Sequence, residues 1–488
     1  MKSRSFILSI ACSVAIAPAM LAQAPFAFGN IVVLRVGDGS AALSTAAAAM
    51  FLDEYTPAGA LVQTIALPTS TSGSNHAITV RGIATSEAYL GVSTNGVYLL
   101  ACGYDAAVGT PDIGTAGELP TTTNRVIARV DLVGTVDTST ALTDAYTGSN
   151  NGVSVTSQGN PRAVASDDGQ RFWIAGTGST SDSGVRFVPF PGATTSIGLN
   201  AGAPTNCRVA GIHDGQLYTT SASTVYLGLN QVGLGLPTTG GQPISLLPGF
   251  PTAGGTAAGS AYDFFFAGPD TVYVADDNSI GSSVGGIQKW TFNGTTWVRQ
   301  YRLQLATDTG CRGLTGFVQN GVVTLWGTVN TSSTGGAQTQ LVTVTDTGPG
   351  SVVTSLATSP SNTAFRGLRY IAKPSTLQRF ANSCGSADIE VNGNCEIGTD
   401  VRTTILNPVG FPFVGYGSTS LNLPFCGCTV AHDFTLLVGG PTHTLSLPFD
   451  PAVTGFVIYI QGLDFLAPGA CSPGLPFALT DSFAFTVQ

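Results

Sequence analysis

Five arginines recur at similar places in the chain, and their guanidinium groups are its most evident binding groups. Each precedes a small or apolar residue and then a second apolar one: Arg81-Gly82-Ile83, Arg162-Ala163-Val164, Arg208-Val209-Ala210, Arg312-Gly313-Leu314 and Arg366-Gly367-Leu368. Guanidinium groups gathered into a ring would bind an anionic ligand. In a strand, however, the arginine and the residue two positions later share a face. Each arginine could therefore serve instead as a strut that donates hydrogen bonds to carbonyls of a neighbouring element.

Two short acidic runs, Asp167-Asp168-Gly169 and Asp276-Asp277-Asn278, offer adjacent carboxylates. Oxygen ligands of this kind suit Ca²⁺, so a calcium site at Asp276 and Asp277 is one interpretation. Tight turns are the other, because aspartate side chains accept hydrogen bonds from nearby backbone amides. Neither run matches a complete calcium-binding loop. No other cofactor is predicted.

Residues that would carry catalysis are hard to find. The four histidines, His76, His213, His432 and His443, form no close ligand pair of the H-E-x-x-H kind. A G-x-S-x-G nucleophile elbow, a P-loop and a dinucleotide fingerprint in its strand-to-helix context are also absent from the sequence. We therefore predict no catalytic residues.

The composition is typical of a protein made of short strands and many turns. Among 488 residues there are 62 glycines and 27 prolines, while charged residues make up only 10%. The net charge is −9, and the only lysines are Lys2, Lys289 and Lys373. Because phosphate backbones and anionic membranes bind clustered basic residues, nucleic acid and a membrane surface are disfavoured as partners.

A repeat organises residues 25–375. Strand-like segments bounded by glycine or aspartate recur, for example at 96–103, 169–176, 270–276 and 321–327. From Arg162 onward, and with Asp263 in the place of a missing arginine, the marker residues lie 46, 55, 49 and 54 residues apart. Four strands per unit at this period predict a β-propeller. We expect six blades, or seven if the longer interval from 81 to 162 hides a degenerate one.

The two ends of this region are predicted to meet. Residues 29–37 form a strand that lacks a first partner, and residues 366–371 form a first strand that lacks followers. Joining them in one blade closes the ring without a free sheet edge. A β-sandwich array or a parallel β-helix is the alternative architecture. The region resembles β-propellers in general but lacks the WD, kelch and YWTD signatures, so it carries over no subfamily's function.

Residues 1–24 have the pattern of a signal peptide. Lys2 and Arg4 precede an apolar run over 6–20, and Ala22-Gln23-Ala24 is a small-x-small cleavage signal. A retained anchor is the alternative, although the apolar run is short for a membrane span. We expect a secreted or cell-surface protein, with the periplasm as a further compartment, and no transmembrane span.

Residues 376–488 follow a different pattern, with about eight short strands and proline-rich turns, which favours a small β-sandwich. Five cysteines fall here: Cys384, Cys395, Cys426, Cys428 and Cys471. In an exported chain they are disulfide candidates. Zinc at Cys426-Gly427-Cys428 is the alternative, although no second close pair accompanies this C-x-C spacing.

The same segment resembles a C-terminal domain appended to many secreted proteins of planctomycete-type bacteria. The resemblance is carried by Cys384-Gly385, Gly410-x-Pro412-x-x-Gly415, the Leu-Pro and Gly-Cys-Thr-Val segments over 423–430, and Tyr459-Ile460-Gln461 before a terminal strand. Cys395, Cys428 and the final strand depart from the usual pattern. The resemblance implies export and surface placement, and it implies no activity.

Two function classes follow. The first is an exported, non-catalytic binding or surface-structural protein whose ligand is an extracellular glycan or protein. The second is a secreted propeller enzyme, a hydrolase or lyase acting on glycans. Enzymes of that class place paired carboxylates or histidines on inner strands, and the sequence shows no such set. We therefore predict the binding class.

Overall fold

The computed structural model describes residues 24–115, 118–148, 159–178, 182–200, 202–221, 223–252, 259–278, 284–305, 310–319, 321–330, 336–373, 377–380, 383–393, 395–425, 428–448, 450–467 and 477–487. The predicted signal peptide, except for its last residue, lies outside these ranges. Cys426 and Cys471 also lie outside them.

The region up to residue 373 consists of short strands, most of them four to nine residues long. In chain order they are β1 (Ile31–Val36), β2 (Ala47–Ala48), β3 (Met50–Tyr55), β4 (Leu61–Ala66), β5 (Val80–Arg81), β6 (Gly91–Val92), β7 (Tyr98–Tyr104), β8 (Arg125–Asp131), β9 (Val136–Leu142), β10 (Asn160–Ala165), β11 (Phe172–Thr177), β12 (Gly184–Val188), β13 (Ile197–Gly198), β14 (Cys207–His213), β15 (Gln216–Ser221), β16 (Gly228–Val232), β17 (Ile244–Leu246), β18 (Ala261–Gly268), β19 (Thr271–Asp276), β20 (Gly286–Phe292), β21 (Trp297–Leu303), β22 (Cys311–Gln319), β23 (Val322–Asn330), β24 (Thr339–Thr345), β25 (Thr354–Thr358) and β26 (Ala364–Tyr370).

These strands form six antiparallel sheets of four. Blade 1 has the order β26-β1-β3-β4, blade 2 is β6 to β9, blade 3 is β10 to β13, blade 4 is β14 to β17, blade 5 is β18 to β21 and blade 6 is β22 to β25. A separate two-stranded sheet pairs β2 with β5. The chain is therefore a six-bladed β-propeller in this region, as predicted, and the long interval from 81 to 162 contains one blade with an insertion at 105–124.

Closure of the ring is confirmed. Strand β1 pairs antiparallel with β26, with Ile31 opposite Tyr370 and Val36 opposite Ala364, and it pairs with β3 on its other side. The first and last strands of the propeller thus share one blade. The core lies between successive blades; between blades 2 and 3, for example, Leu100 and Ile127 pack with Val164 and Phe172.

Beyond the propeller the strands are β27 (Gln378–Phe380), β28 (Asp388–Asn392), β29 (Asp400–Leu406), β30 (Phe411–Gly417), β31 (Ser420–Phe425), β32 (Cys428–His432), β33 (Leu436–Gly439), β34 (Thr442–Ser446), β35 (Val457–Phe465) and β36 (Phe477–Thr486), with one 3₁₀ turn at Pro451–Val453. A five-stranded sheet (β27-β36-β35-β30-β33) and a three-stranded sheet (β28-β29-β34) share a core that includes Ile389, Val401, Val414, Ile460 and Phe485. Within the described ranges, no helix has the length and apolarity that a membrane crossing requires.

The cysteines behave differently in the two regions. Cys384 and Cys428 form a disulfide, which confirms the prediction for this pair. Cys395 is buried in the C-terminal core. The propeller cysteines Cys102 and Cys207 are buried thiols in blades 2 and 4, and burial raises the pKa of Cys207 to about 12. The disulfide therefore lies in the C-terminal region, where the candidates were predicted, whereas the buried propeller thiols pack in the core.

The tip of the β14–β15 hairpin contacts the C-terminal sheets. Asp214 accepts a hydrogen bond of 2.6 Å from Arg402 of β29. Gly215, next to it, has a φ of +66°, and a Cβ placed there would lie 1.3 Å from Oε1 of Glu390 on β28. His213 stacks on Phe266 with ring centroids 4.2 Å apart. The hairpin tip is thus tightly enclosed.

We expect the Cys384–Cys428 disulfide in the mature protein, and we predict that Cys426 and Cys471 are oxidised as well. Removing a disulfide that closes a loop of this size (44 residues apart in sequence) typically costs about 2–4 kcal/mol of unfolding free energy. Mass spectrometry of non-reduced peptides identifies the linked pairs. Free thiols at Cys384 and Cys428 would contradict the prediction, and zinc in the purified protein would favour the alternative.

We expect Gly215→Ala to lower the melting temperature and to speed proteolytic release of the C-terminal region. The new methyl group meets Glu390, in addition to the strain of a positive φ. Gly321→Ala is the matched control, because Gly321 occupies the β22–β23 hairpin with a φ of +74° and has nothing within 4 Å of its would-be Cβ. The free energy of unfolding of the control should fall by only about 1–2 kcal/mol, from the backbone strain alone. If the two variants were equally stable and equally resistant to protease, the proposed packing of the hairpin tip would be wrong.

Candidate functional site

Four of the five predicted arginines lie near the start of innermost strands. Arg162 is on β10, Arg208 on β14, Arg312 on β22 and Arg366 on β26. They come from blades 3, 4, 6 and 1. The charge of Arg208 acts on Arg162, and that of Arg312 acts on Arg366. The four guanidinium groups therefore converge on the propeller axis.

Blade 5 has a tyrosine at the equivalent position. Thr328 Oγ1 donates a hydrogen bond of 2.6 Å to the carbonyl of Arg366 in the adjacent inner strand. Thr220 Oγ1 makes the same hydrogen bond to the carbonyl of Tyr262. Tyr262 therefore corresponds to the arginines, and the assignment of Asp263 to this place is wrong by one residue.

Blade 2 lacks the arginine altogether. The amide of Gly367 donates to the carbonyl of Ala88 (3.0 Å), and the amide of Tyr89 donates to the carbonyl of Arg162 (3.1 Å), which places Ala88 at the equivalent position. Arg81 instead lies on β5, in the small sheet outside the blades. The prediction that Arg81 sits on an innermost strand is thus wrong, because residues 82–87 intervene before the inner segment of blade 2.

Two tyrosine rings meet at the level of the arginines. Tyr89 comes from blade 2 and Tyr262 from blade 5, which are opposite one another in a ring of six, and their centroids are 5.6 Å apart. Both side chains are buried. The guanidinium of Arg208 covers the ring of Tyr262 at 3.9 Å, and that of Arg312 lies 5.8 Å from the same ring. The two buried rings thus meet near the axis, and cation–π contacts hold two arginines beside Tyr262.

Three of the four inner-strand arginines tie their blade to a neighbouring blade, as the strut interpretation expects, and Arg366 bonds the segment that precedes blade 2. The hydrogen bonds are Arg162 Nη1 to Cys207 O (3.1 Å), Arg208 Nη1 to Ala261 O (3.1 Å), Arg366 Nη2 to Gly82 O (3.2 Å) and Arg312 Nε to Asp277 Oδ2 (3.2 Å). Three of the four acceptors are neutral carbonyls. The struts therefore satisfy some of the donors without neutralising most of the charge.

Donors and charge remain in excess around the axis. Nε of Arg162 and Nη1 of Arg81 are buried and have no hydrogen-bond partner among the described residues. Burial, together with the charge of Arg208, lowers the pKa of Arg162. Burial and Arg312 lower the pKa of Arg366 to about 10. Burial thus disfavours the charged forms of Arg162 and Arg366, which nevertheless stay protonated at neutral pH.

Glu87 is a candidate functional residue that the sequence analysis missed. Its buried carboxylate accepts hydrogen bonds from Tyr104 Oη (2.9 Å), Asn160 Nδ2 (2.6 Å) and the amide of Arg81 (3.0 Å). Burial raises the pKa of Glu87 to about 7, although these hydrogen bonds and the charges of Arg162 and Arg81 oppose the shift. A carboxyl group that titrates near neutrality suits acid–base chemistry. The only signal in the sequence is that Glu87, one of five glutamates, directly precedes an apolar strand.

The acidic runs are occupied by turn and strut contacts. Asp276 accepts hydrogen bonds from the amide of Asn278 (3.0 Å) and from Gln288 (3.0 Å). Asp277 pairs with Arg312, as described above. In the other run, Asp167 accepts from Arg171 Nε (2.9 Å). Within the described part of the chain, no group of three or more His, Cys, Asp or Glu side chains could hold a metal ion, and calcium stays a prediction.

A small pocket lies between blades 4 and 5. Asp276 and Arg299 line it beside Trp290, which stacks on Phe250 with centroids 4.1 Å apart. Burial raises the pKa of Asp276 to about 6. Because the carboxylate is already bound by backbone amides and Gln288, it is committed to the local structure rather than open to a ligand.

Comparison with known proteins finds distant structural matches only. No protein-family model matches the chain, and no curated protein matches it. Similar solved structures are of the β-propeller type. A periplasmic gluconolactonase of Pseudomonas aeruginosa has 12% identity and a TM-score of 0.39 over 86% of this chain and 100% of that one. A putative 6-phosphogluconolactonase of Bacteroides uniformis has 11% identity and a TM-score of 0.36, and the match covers 85% of this chain and 99% of that one. A GH74 enzyme of Niastella koreensis has 12% identity and a TM-score of 0.35, and the match covers 79% of this chain and 60% of that one. At these values no activity is transferred.

We expect Glu87→Gln to remove part of the pH dependence of stability. The folded-state pKa of Glu87, about 7, lies above its usual value of 4.5, so the folded protein binds this proton more tightly than the unfolded chain. The unfolding free energy of the wild type should therefore fall as pH rises from about 4.5 to 7, by on the order of 2–3 kcal/mol from this group. Urea unfolding of both proteins at pH 5 and pH 8 measures the difference. Contributions from other groups cancel between them, and an identical pH dependence would refute the expectation.

Proposed function

We propose that the mature protein is exported and acts as a non-catalytic binding or surface-structural protein, located outside the cell, at the cell surface or in the periplasm. Its ligand, a glycan or a protein, would dock on the propeller face where the inner strands begin. The observation that carries the proposal is the convergence of Arg162, Arg208, Arg312 and Arg366 on an axis where two tyrosine rings meet. A rigid ring that presents unused donors supports recognition, which needs only shape and a few polar anchors.

We also propose that residues 376–488 form a β-sandwich domain that places the propeller at a surface. Two sheets over one core and the Cys384–Cys428 disulfide support this. The resemblance to the C-terminal domain of secreted planctomycete-type proteins points in the same direction. The hairpin contact through Asp214 and Arg402 would hold the two parts together.

A secreted enzyme acting on glycans is the second candidate, and Glu87 is the observation that favours it. Its pKa of about 7 suits a general acid or base. Glycoside hydrolysis, however, uses two carboxyl groups. Among the described residues, the hydrogen-bond partners found for Glu87 are Tyr104, Asn160 and an amide rather than a second carboxyl group or a histidine. Binding therefore remains the better-supported proposal.

The test is a glycan and extracellular-protein array with the full mature chain, run in parallel with a hydrolase and lyase panel. We expect saturable binding without turnover, weakened at least tenfold by Arg208→Ala because Arg208 is half-exposed at the channel mouth. Arg171→Ala is the matched control, since Arg171 lies at the β10–β11 hairpin, at the opposite end of the inner strand that carries Arg162. Turnover that Glu87→Gln abolishes while the protein stays folded would overturn the proposal in favour of the enzyme.

A further inference from the structure

Four ionisable side chains meet where the propeller contacts the C-terminal sheets. The tip of the β14–β15 hairpin supplies His213 and Asp214, while β29 supplies Arg402 and β28 supplies Glu390. Asp214 and Arg402 form an ion pair of 2.6 Å whose side chains are only 24% and 30% exposed. The carboxyl group of Glu390 lies against the backbone of Gly215 in the same hairpin tip. The contact therefore depends on which of these groups carry a charge.

His213 lies beside the carboxylate that binds Arg402. Its Nε2 is 3.5 Å from Oδ2 of Asp214, the same oxygen that accepts the hydrogen bond from Nη1 of Arg402. Nε2 is buried and has no hydrogen-bond partner among the described residues. The imidazole ring lies flat on Phe266 of β18, with an interplanar angle of 2°. A neutral imidazole suits this position, because it stacks on Phe266 and leaves Asp214 to Arg402.

A proton on His213 would disturb the contact in two ways. Both ring nitrogens of an imidazolium are N–H donors, and the carboxylate oxygen beside Nε2 is the one that Arg402 already uses. The new positive charge would also be repelled by the guanidinium of Arg402, whose charge acts on His213. A hydrogen bond from the imidazolium would therefore compete with the ion pair, although it joins two residues of the same hairpin and links nothing to β29.

We propose that His213 is an acid-sensitive latch, in which protonation of the imidazole weakens the Asp214–Arg402 ion pair and separates the C-terminal sheets from the propeller. At neutral pH the hairpin tip holds the two parts together. In an acidic medium the propeller would move freely on its connection to the C-terminal region. The latch goes beyond the proposed binding function and requires no ligand.

The direction of the pH dependence follows from the burial of His213. Burial, together with the charge of Arg402, lowers its pKa to about 4, although Asp214 opposes the shift. A separated hairpin, with the usual histidine pKa of 6.5, binds the proton more tightly, so separation becomes more favourable as the pH falls below 6.5. Glu390 acts in the opposite direction, because burial and Asp214 raise its pKa in the closed contact. Tyr218, which also faces Asp214 and Arg402, has a pKa raised to about 12 and stays protonated.

Limited proteolysis of the full mature protein at pH 7.5 and pH 5.5, with a protease active at both, tests the latch. His213→Phe is the central variant, because phenylalanine keeps the stack on Phe266 and cannot take up a proton. Relative to this variant, the rate at which the wild type loses its C-terminal region should rise roughly tenfold between pH 7.5 and pH 5.5, as the two pKa values of His213 require. Taking the ratio of the two rates removes the pH dependence of the protease and of Glu390.

Two further variants complete the design. His76→Phe is the matched control, since His76 contacts Asp105 (2.8 Å) and Thr138 rather than the hairpin, and its rate should follow that of the wild type at both pH values. Asp214→Asn should be cleaved faster than the wild type at pH 7.5, because it removes the counter-charge of Arg402. Mass spectrometry of the fragments shows whether the propeller stays intact.

Three results would overturn the latch. The first is an equal pH response in the wild type and His213→Phe, or a changed response in His76→Phe. The second is an Asp214→Asn variant that is cleaved no faster than the wild type. The third is cleavage throughout the propeller at pH 5.5, which would show general unfolding instead of separation. The proposed function would survive each of them, because the array measures ligand binding independently.

Discussion

The propeller is a closed ring because β1 pairs with β26, and every feature of the axis depends on that pairing. It places the first strand of the region beside the last, so no blade has an open inner edge. Six inner strands then surround a narrow axis, since six is a small number of blades. The channel is narrow enough for two tyrosines from opposite blades to meet, with centroids 5.6 Å apart.

The narrow axis also brings like charges together. Guanidinium groups from blades 3, 4, 6 and 1 lie close enough for one to lower the pKa of another, as Arg312 does for Arg366. Carbonyl acceptors from adjacent blades and the ring of Tyr262 offset part of this repulsion. The arrangement is stable only as a whole, because each arginine takes its acceptor from outside its own blade. The same dependence leaves Arg162 with a donor that no described residue uses.

The period and the split repeat predicted the six blades and their closure, because alternation and spacing are local properties of a sequence. Spacing failed where loops differ in length. Residues 82–87 separate Arg81 from blade 2, so its spacing does not indicate an inner strand, and Tyr262 rather than Asp263 occupies the equivalent position in blade 5. The carboxylate of Asp263 instead binds Arg369, at 2.7 Å. Glu87 could not be predicted, because its burial arises from contacts with Tyr104 and Asn160 that only the folded blades create. The Cys384–Cys428 pairing could not be predicted either, because it depends on contacts between strands distant in sequence.

The ring is asymmetric, and the asymmetry indicates where a ligand would enter. On the side of blades 5 and 6, Arg312 is paired with Asp277, and the guanidinium of Arg208 stacks on the ring of Tyr262. Both arginines therefore already have partners within the protein. On the side of blades 2 and 3, the carboxyl group of Glu87 lies between Tyr104 and Asn160, and the charges of Arg81 and Arg162 act on it. The long insertion of blade 2 also packs there, since Asn160 Nδ2 donates to the carbonyl of Gly114 within it (3.3 Å). Loops inserted between the strands of a rigid scaffold are where binding residues commonly occur. Under the proposed binding function, the insertion would therefore contact a ligand that docks on this face of the propeller.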